Sequence, residues 1–395
     1  MHYNVVIAGA GPAGLACAHA LRTRDPALSV LLVEAGRTYR KRPCPVDRGH
    51  SCTGCGGVCN VVSGFGGCLH YGDGAKLSLL PSGRRLVPHL GAERADALCA
   101  EAYAWLTAPL SARPALTGQG LSPRAVTAFA EHDLEIREYP VAVLGESALR
   151  EVIEGVHDEL DPQITTWYMS EVTDASPRKD GGLRLRVDSR AGGRQVSADQ
   201  LVLATGRRGV TATAALLRSL GVPLTPPEVS VGVRIEMAAR LLAGIGDEHP
   251  DLKISQHQDI EHKVKTFCFC GGPGDGGGGR IKFTHYHDAF GSRVITLDGH
   301  ETTERAVAGG RPLAGNFGLL CQPRGRGDAE QARASFLDTY RRLNDGRPFV
   351  QSLRAFLSRA DSTETWPELR ARMPFEPSVD DLVTGREAAL DDLMD

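Results

Sequence analysis

Gly9, Gly11 and Gly14 fall in the pattern G-x-G-x-x-G, and the chemistry this spacing serves is the holding of a pyrophosphate. Gly9 permits a tight turn, Gly11 lets backbone approach the phosphates, and Gly14 lets a helix pack closely on a strand. Pro12 loses no hydrogen bond at the first helical turn. Beside it, Ala13 belongs to the uncapped N–H groups and positive dipole end that meet an anion. Glu34 follows Gly14 by twenty residues. With Ala35 it stands where a carboxylate accepts hydrogen bonds from an adenosine ribose, and its charge disfavours the 2′-phosphate of NADP.

These residues need a strand, a helix and a second strand to position them. Residues 3–8 are an apolar run of the kind buried in a parallel sheet, residues 12–24 read as a helix, and residues 29–34 (SVLLVE) as a second buried strand. Residues 36–85 carry many Gly, Cys and Pro and little periodicity, which predicts a long functional loop. Helices are predicted over 91–108, 122–133 and 147–160. From 164 to 202 the pattern changes to a β-meander with turns at KDGG and RAGGR, ending in a buried strand. Residues 229–237 and 264–270 alternate, and 280–286 is expected to pair with them across the Gly-rich 271–279. The chain turns helical again after Asp328, and the acidic 380–395 is expected as a surface helix or a frayed end.

The run LVLATGRRG, residues 201–209, follows that meander. A buried strand ending in Ala204, Thr205 and Gly206 is similar to a segment of flavoproteins built on two dinucleotide-binding domains, and it separates FAD from plain NAD binding. Val172, in the meander, joins the same set of expected cofactor contacts. The expected fold class is α/β: a Rossmann-like FAD-binding domain (a parallel sheet with a β-meander) plus a mixed-sheet substrate domain and helical additions. The expected division is an FAD domain over 1–85 and 140–225, a helical insertion over 86–139, a substrate domain over 226–325 and a helical region over 326–395.

Residues 42–79 carry a more specific likeness. Arg42-Pro43, the cysteines from Cys44 to Cys59, Ser63-Gly64-Phe65-Gly66-Gly67 and Asp73-Gly74-Ala75-Lys76 resemble a family of bacterial FAD-dependent dehydrogenases, with Ala75 inserted relative to the family spacing. GVRIEM (232–237), HPDLK (249–253), KTFCFCGG (265–272) and RPFVQSLRAFL (347–357) extend the resemblance over most of the chain. It implies a flavoprotein dehydrogenase. It also implies a third cofactor segment beyond residue 380 or so. The sequence ends at Asp395 without it, so a partner chain or a homo-oligomer is one expected way of completing the flavin site.

Several stretches stay open to more than one reading. Cys44, Cys52, Cys55 and Cys59, with Cys68 nearby, suit a zinc or iron–sulfur site, a Cys52/Cys55 redox pair, or plain packing under a Gly-rich loop. Cys268 and Cys270 share a strand face and are expected to pack. Ser63, Gly64, Gly66 and Gly67 would lay backbone N–H groups against a flavin ring, or form a flexible loop. Asp73 and Lys76 are candidate catalytic acid, base or substrate clamp, against the alternative of solvated loop charges. Arg37, Arg40, Lys41 and Arg42 would offset the pyrophosphate charge or mark an exposed turn. His285 and His287 are read as pocket or surface histidines, and 271–279 as a hairpin tip or lid.

Composition narrows the function classes. Hydrophobic residues make up 42% and charged residues 24%, and the net charge of −3 gives no electrostatic case for nucleic acid or an anionic membrane. The N-terminus lacks a basic leader, so a cytoplasmic location is expected and the ten cysteines are not read as a disulfide framework. The expected activity is hydride transfer between a small organic substrate and flavin N5 by an FAD-dependent oxidoreductase of dehydrogenase type, possible as a biosynthetic tailoring step. The alternatives are a flavin monooxygenase and a non-catalytic flavoprotein-like subunit.

Overall fold

The computed structural model describes residues 1–395 apart from 49, 226–229, 257–261, 272–276, 289–290, 303–312, 324–327, 345, 360–362, 380–382 and 385–395. In the first half the elements are β1 (His2–Ala8), α1 (Pro12–Arg24), β2 (Val30–Val33), β3 (Ala75–Ser78), α2 (Val87–Leu90), α3 (Ala92–Leu106), α4 (Pro123–Ala130), β4 (Leu134–Arg137), β5 (Val141–Leu144) and α5 (Glu146–Leu160). The meander follows as β6 (Thr165–Trp167), β7 (Ser170–Pro177), β8 (Leu183–Ser189) and β9 (Gly192–Leu203), and then α6 (Val210–Ser219). Beyond it lie β10 (Val231–Ala238), α7 (Arg240–Glu248), β11 (Lys253–Gln256), β12 (His262–Cys270), β13 (Gly278–His287), β14 (Arg293–Thr302), β15 (Ala314–Pro323) and α8 (Asp328–Asn344).

A six-stranded sheet runs β6-β2-β1-β9-β8-β7. β6, β2, β1 and β9 are parallel, while β8 and β7 add antiparallel strands at one side. A central parallel strand is covered on both faces, which is why β1 and β2 read as continuous apolar runs. Val5, Ile7, Val30 and Leu32 pack against Leu15 and Ala18 of α1 and Leu149, Val152 and Ile153 of α5. On the other face, Val6, Leu31 and Val33 meet Leu185 and Val187 of β8 and Leu216 of α6. The α/β class and the β-meander are as the sequence predicts.

The second sheet is antiparallel, in the order β10-β15-β12-β11-β4. Two differences from expectation stand out. β13 pairs along its whole length with β14, not with β12 across 271–279, of which residues 272–276 lie outside the described set. β4, inside the stretch 86–139 read as a helical insertion, pairs with β11 of the second sheet. Of the C-terminal stretch read as a helix or frayed end, only Val383–Thr384 is described, as a short strand; the remainder lies outside the described residues. No helix among the described residues is long and apolar enough to cross a membrane.

Candidate functional site

A cavity of about 440 Å³ opens at the C-terminal ends of β1, β2 and β9, the place where a doubly wound sheet presents its ligands. Gly9 sits there with φ +107°, and a Cβ on it would meet the Ala204 carbonyl oxygen at 2.3 Å. A side chain at Gly14 would strike the Gly9 carbonyl at 1.9 Å. The turn closes only with glycine at both positions. Gly11, Pro12 and Ala13 line the cavity, and no side chain caps the first N–H groups of α1. The positive end of that helix therefore faces open space.

Glu34 and Ala35 line the cavity at the end of β2. The Glu34 carboxylate is buried and accepts three backbone N–H bonds, from Ala10 at 2.8 Å and from Gly36 and Gly64 at 2.7 Å each. Sequence reasoning gave it a ribose. In the structure this carboxylate ties the first turn to the SGFGG turn. Ser63 and Gly67 contribute from that turn, and the Ser63 hydroxyl is buried without a hydrogen-bond partner. Ala204, Thr205 and Gly206 complete the wall after β9, with Val172 from β7. Twelve of the sixteen expected cofactor residues thus converge on one cavity, each of them among its lining residues.

The other four stand behind that lining. Gly14 packs beneath Gly9, and Gly64 and Gly66 face Arg42. Arg42 is buried and donates to the carbonyls of Asn60 (3.0 Å), Val61 (3.2 Å), Phe65 (2.6 Å), Gly67 (2.5 Å) and Leu69 (3.4 Å). Burial lowers its guanidinium to about 10, and Glu34 is the largest influence opposing that. It is spent on shaping the loop, where it was expected to offset pyrophosphate charge. Arg40 stacks over Tyr39 at the surface, so the basic run does not act as one patch.

Asp73 and Lys76, expected as acid, base or clamp, do not line this cavity. Asp73 is fully buried, bonded by Arg280 (2.7 Å) and Lys282 (2.5 Å) and 3.0 Å from the His300 ring. Burial alone would raise its carboxyl, but Lys282, His300 and Arg280 outweigh that and hold it well below the usual range. Asp47 shares Arg280 and Lys282 at 2.6 and 2.5 Å and pairs with His70 at 2.8 Å. Lys76 is enclosed between Asp251 (3.1 Å) and Glu301 (3.5 Å) and donates to the Phe269 carbonyl.

The four candidate metal cysteines do not form a ligand set. Among the described residues, Asp47, His70 and Asp73 are the trio of metal-type ligands whose atoms lie within 4.8 Å of one another, and Arg280 and Lys282 already neutralise it. Cys44 and Cys59 are buried in a small cluster with Val61, which is the packing role. Burial pushes the Cys44 thiol up to about 11. Cys52 lies 3.2 Å from the His285 ring, while Cys55 faces a separate recess with Arg37 and Met169. His287 is exposed.

Sequence reasoning left out Arg207, Arg208, Gly209 and Thr213, which line the cavity at the start of α6. Three of them stood in the quoted run LVLATGRRG, and basic residues before a helix were the signal. Arg207 pairs with Asp298 and Arg208 with Glu171.

The sequence matches no protein-family model and no curated protein. Among solved structures it is similar to pyridoxine 4-oxidase from Mesorbium loti, at 17% identity and a TM-score of 0.40, over 81% of this chain and 71% of that one. It is also similar to the OxyS anhydrotetracycline hydroxylase from Streptomyces rimosus, at 14% identity and 0.34, over 82% and 46%. A third is THI4 from Thermovibrio ammonificans, at 13% and 0.30, over 57% and 65%. The chain spans less than half the length of the hydroxylase. The functional reading rests on the cavity's own residues.

Proposed function

We propose that this cavity binds FAD and that the chain is an FAD-dependent oxidoreductase of the dehydrogenase type, acting on a small organic molecule. The observation that carries the reading is the convergence, on one cavity, of the uncapped α1 N-terminus, the Glu34 carboxylate and the unpartnered Ser63 hydroxyl. A dinucleotide supplies phosphate oxygens for the helix end and a polar atom for the serine, and its ribose hydroxyls would add to the three N–H bonds that the carboxylate already accepts.

Bound FAD supplies a two-electron acceptor for hydride. The protein's own share is positioning. The turn at Gly9–Gly14 and the start of α1 hold the pyrophosphate. Glu34 holds the ribose while its other bonds keep the SGFGG turn in place, and Thr205 and Gly206 close the wall beyond β9. Asp73 and Lys76, bound in ion pairs away from the cavity lining, keep the loop docked.

The test is the visible spectrum of the purified protein, with the cofactor released by heat and identified by mass. Flavin bands and released FAD support the reading. A colourless protein that also fails to take up added FAD overturns it.

A further inference from the structure

The cysteine pair of β12 lies outside the cavity, and its geometry is not that of a regular strand. Side chains two apart on a strand share a face, but their Cα atoms stand about 6.6 Å apart, at the far edge of what a disulfide spans. Here the β12–β15 register breaks between Phe267 and Cys270. Cys268 takes φ +51°, in the left-handed region that a non-glycine residue rarely occupies. The extra residue draws the two sulfurs to 3.9 Å. Unusual backbone of this sort is kept where the surrounding structure uses it.

We propose that Cys268 and Cys270 are a redox-active dithiol that exchanges with low-molecular-weight disulfides, Cys268 attacking and Cys270 resolving. This goes beyond the FAD reading and does not depend on it.

The surroundings divide the roles. Cys270 is 1% exposed, while Cys268 is the more exposed residue of the two. Arg234 donates to the Cys268 carbonyl at 3.2 Å, and the Lys76 ammonium lies 3.7 Å from the Cys270 sulfur. The hydrogen bond from Cys270, with Arg234 and Lys76 behind it, holds the Cys268 thiol well below the usual range although burial opposes this. The same bond and burial raise Cys270. A thiolate beside cations is the attacking form. A metal site is a poorer account, because no group of three metal-type ligands forms around this pair among the described residues.

The step balances as follows. The Cys268 thiolate attacks one sulfur of the disulfide RSSR, and the first RS⁻ leaves. Cys270 gives its proton to the departing thiolate and attacks the Cys268 sulfur, expelling the second RS⁻, which takes a proton from solvent. The protein dithiol is oxidised to a disulfide and RSSR is reduced to two thiols.

Trypsin cleavage after Lys265 and Arg280 releases residues 266–280, which contain both cysteines and no other. The full-length protein is equilibrated with mixtures of glutathione and glutathione disulfide, alkylated, digested and weighed. The expected peptide in the oxidised mixtures is two hydrogens lighter and takes no alkyl group. Cys270→Ser is expected to carry glutathione on Cys268, and Cys268→Ser to leave Cys270 unmodified. A wild-type peptide that stays doubly alkylated at every mixture overturns the proposal. Glutathione on Cys270 in Cys268→Ser, as readily as on Cys268 in Cys270→Ser, overturns the division of roles.

Discussion

The Glu34 carboxylate accepts a hydrogen bond from the Gly64 N–H at 2.7 Å, across thirty residues of chain. One buried charge thereby couples the glycine turn after β1 to the glycine turn of the Cys-rich loop, since Ala10 and Gly36 bond the same group.

Glu34→Gln puts an amide NH₂ against N–H donors and removes the charge from three bonds. Charged hydrogen bonds carry more than neutral ones, so the expected loss of stability is about 3 kcal/mol, read from urea denaturation. FAD retention should fall with it. A variant as stable as the parent would mean that the three bonds do not hold the turns together.

Arg42→Lys keeps the charge and loses the fork. Five carbonyls now share one guanidinium. An ammonium has three donors, and at least two carbonyls are left without a partner. The expected cost is about 3 kcal/mol. Limited proteolysis should then cut the 42–69 loop first, and protection equal to the parent's would contradict this account of the loop.

His70 gives a pH signature. Burial, then the Lys282 charge, lowers its ring to about 4, whereas the unfolded chain binds that proton near 6.5. Between those values the unfolded state takes up a proton that the folded state refuses, so stability falls as the solution is acidified. The contribution is about 2 kcal/mol between pH 7 and pH 5. His70→Gln, whose Nε2 can take the place of the ring Nε2 beside Asp47, should lose that part of the slope. Parallel stability–pH curves for the two proteins would refute it.

Glu236 runs the other way. Burial raises its carboxyl to about 7, against the bonds that Ser378 donates. A raised carboxyl favours the protonated folded state, so stability is lost as the pH climbs from about 4.5 through 7. Glu236→Gln should therefore gain on the parent over that range, by about 3 kcal/mol above neutrality. Denaturation at pH 5 and pH 8 measures the gain, and an advantage that does not grow with pH would rule the shift out.

What could be read from the sequence was what neighbours in the chain decide. The turn at Gly9–Gly14 announces itself because strand, turn and helix lie within a few residues, and Ala204–Gly206 because a buried strand runs straight into it. Asp73 reads in the sequence as a catalytic candidate or a solvated loop charge, because its partner Arg280 lies 207 residues away. β12 and β13 alternate like a hairpin, yet β12 pairs with β15 through a bulge and β13 with β14, choices that depend on the whole sheet. β4 is four residues long, too short for its alternation to outweigh the helical stretch before it.

The order of strands in the first sheet has a consequence for how the molecule is made. β1 leaves the ribosome long before β9, yet the two strands are neighbours, with His2 opposite Ser197 and Ala8 opposite Leu203. Until that much has been synthesised, β1 carries one bare edge of unpaired backbone and the crevice lacks its far wall. Such distant pairing slows folding and leaves an edge open to wrong partners. The nascent chain therefore completes the wall of the crevice only after residue 203 has emerged.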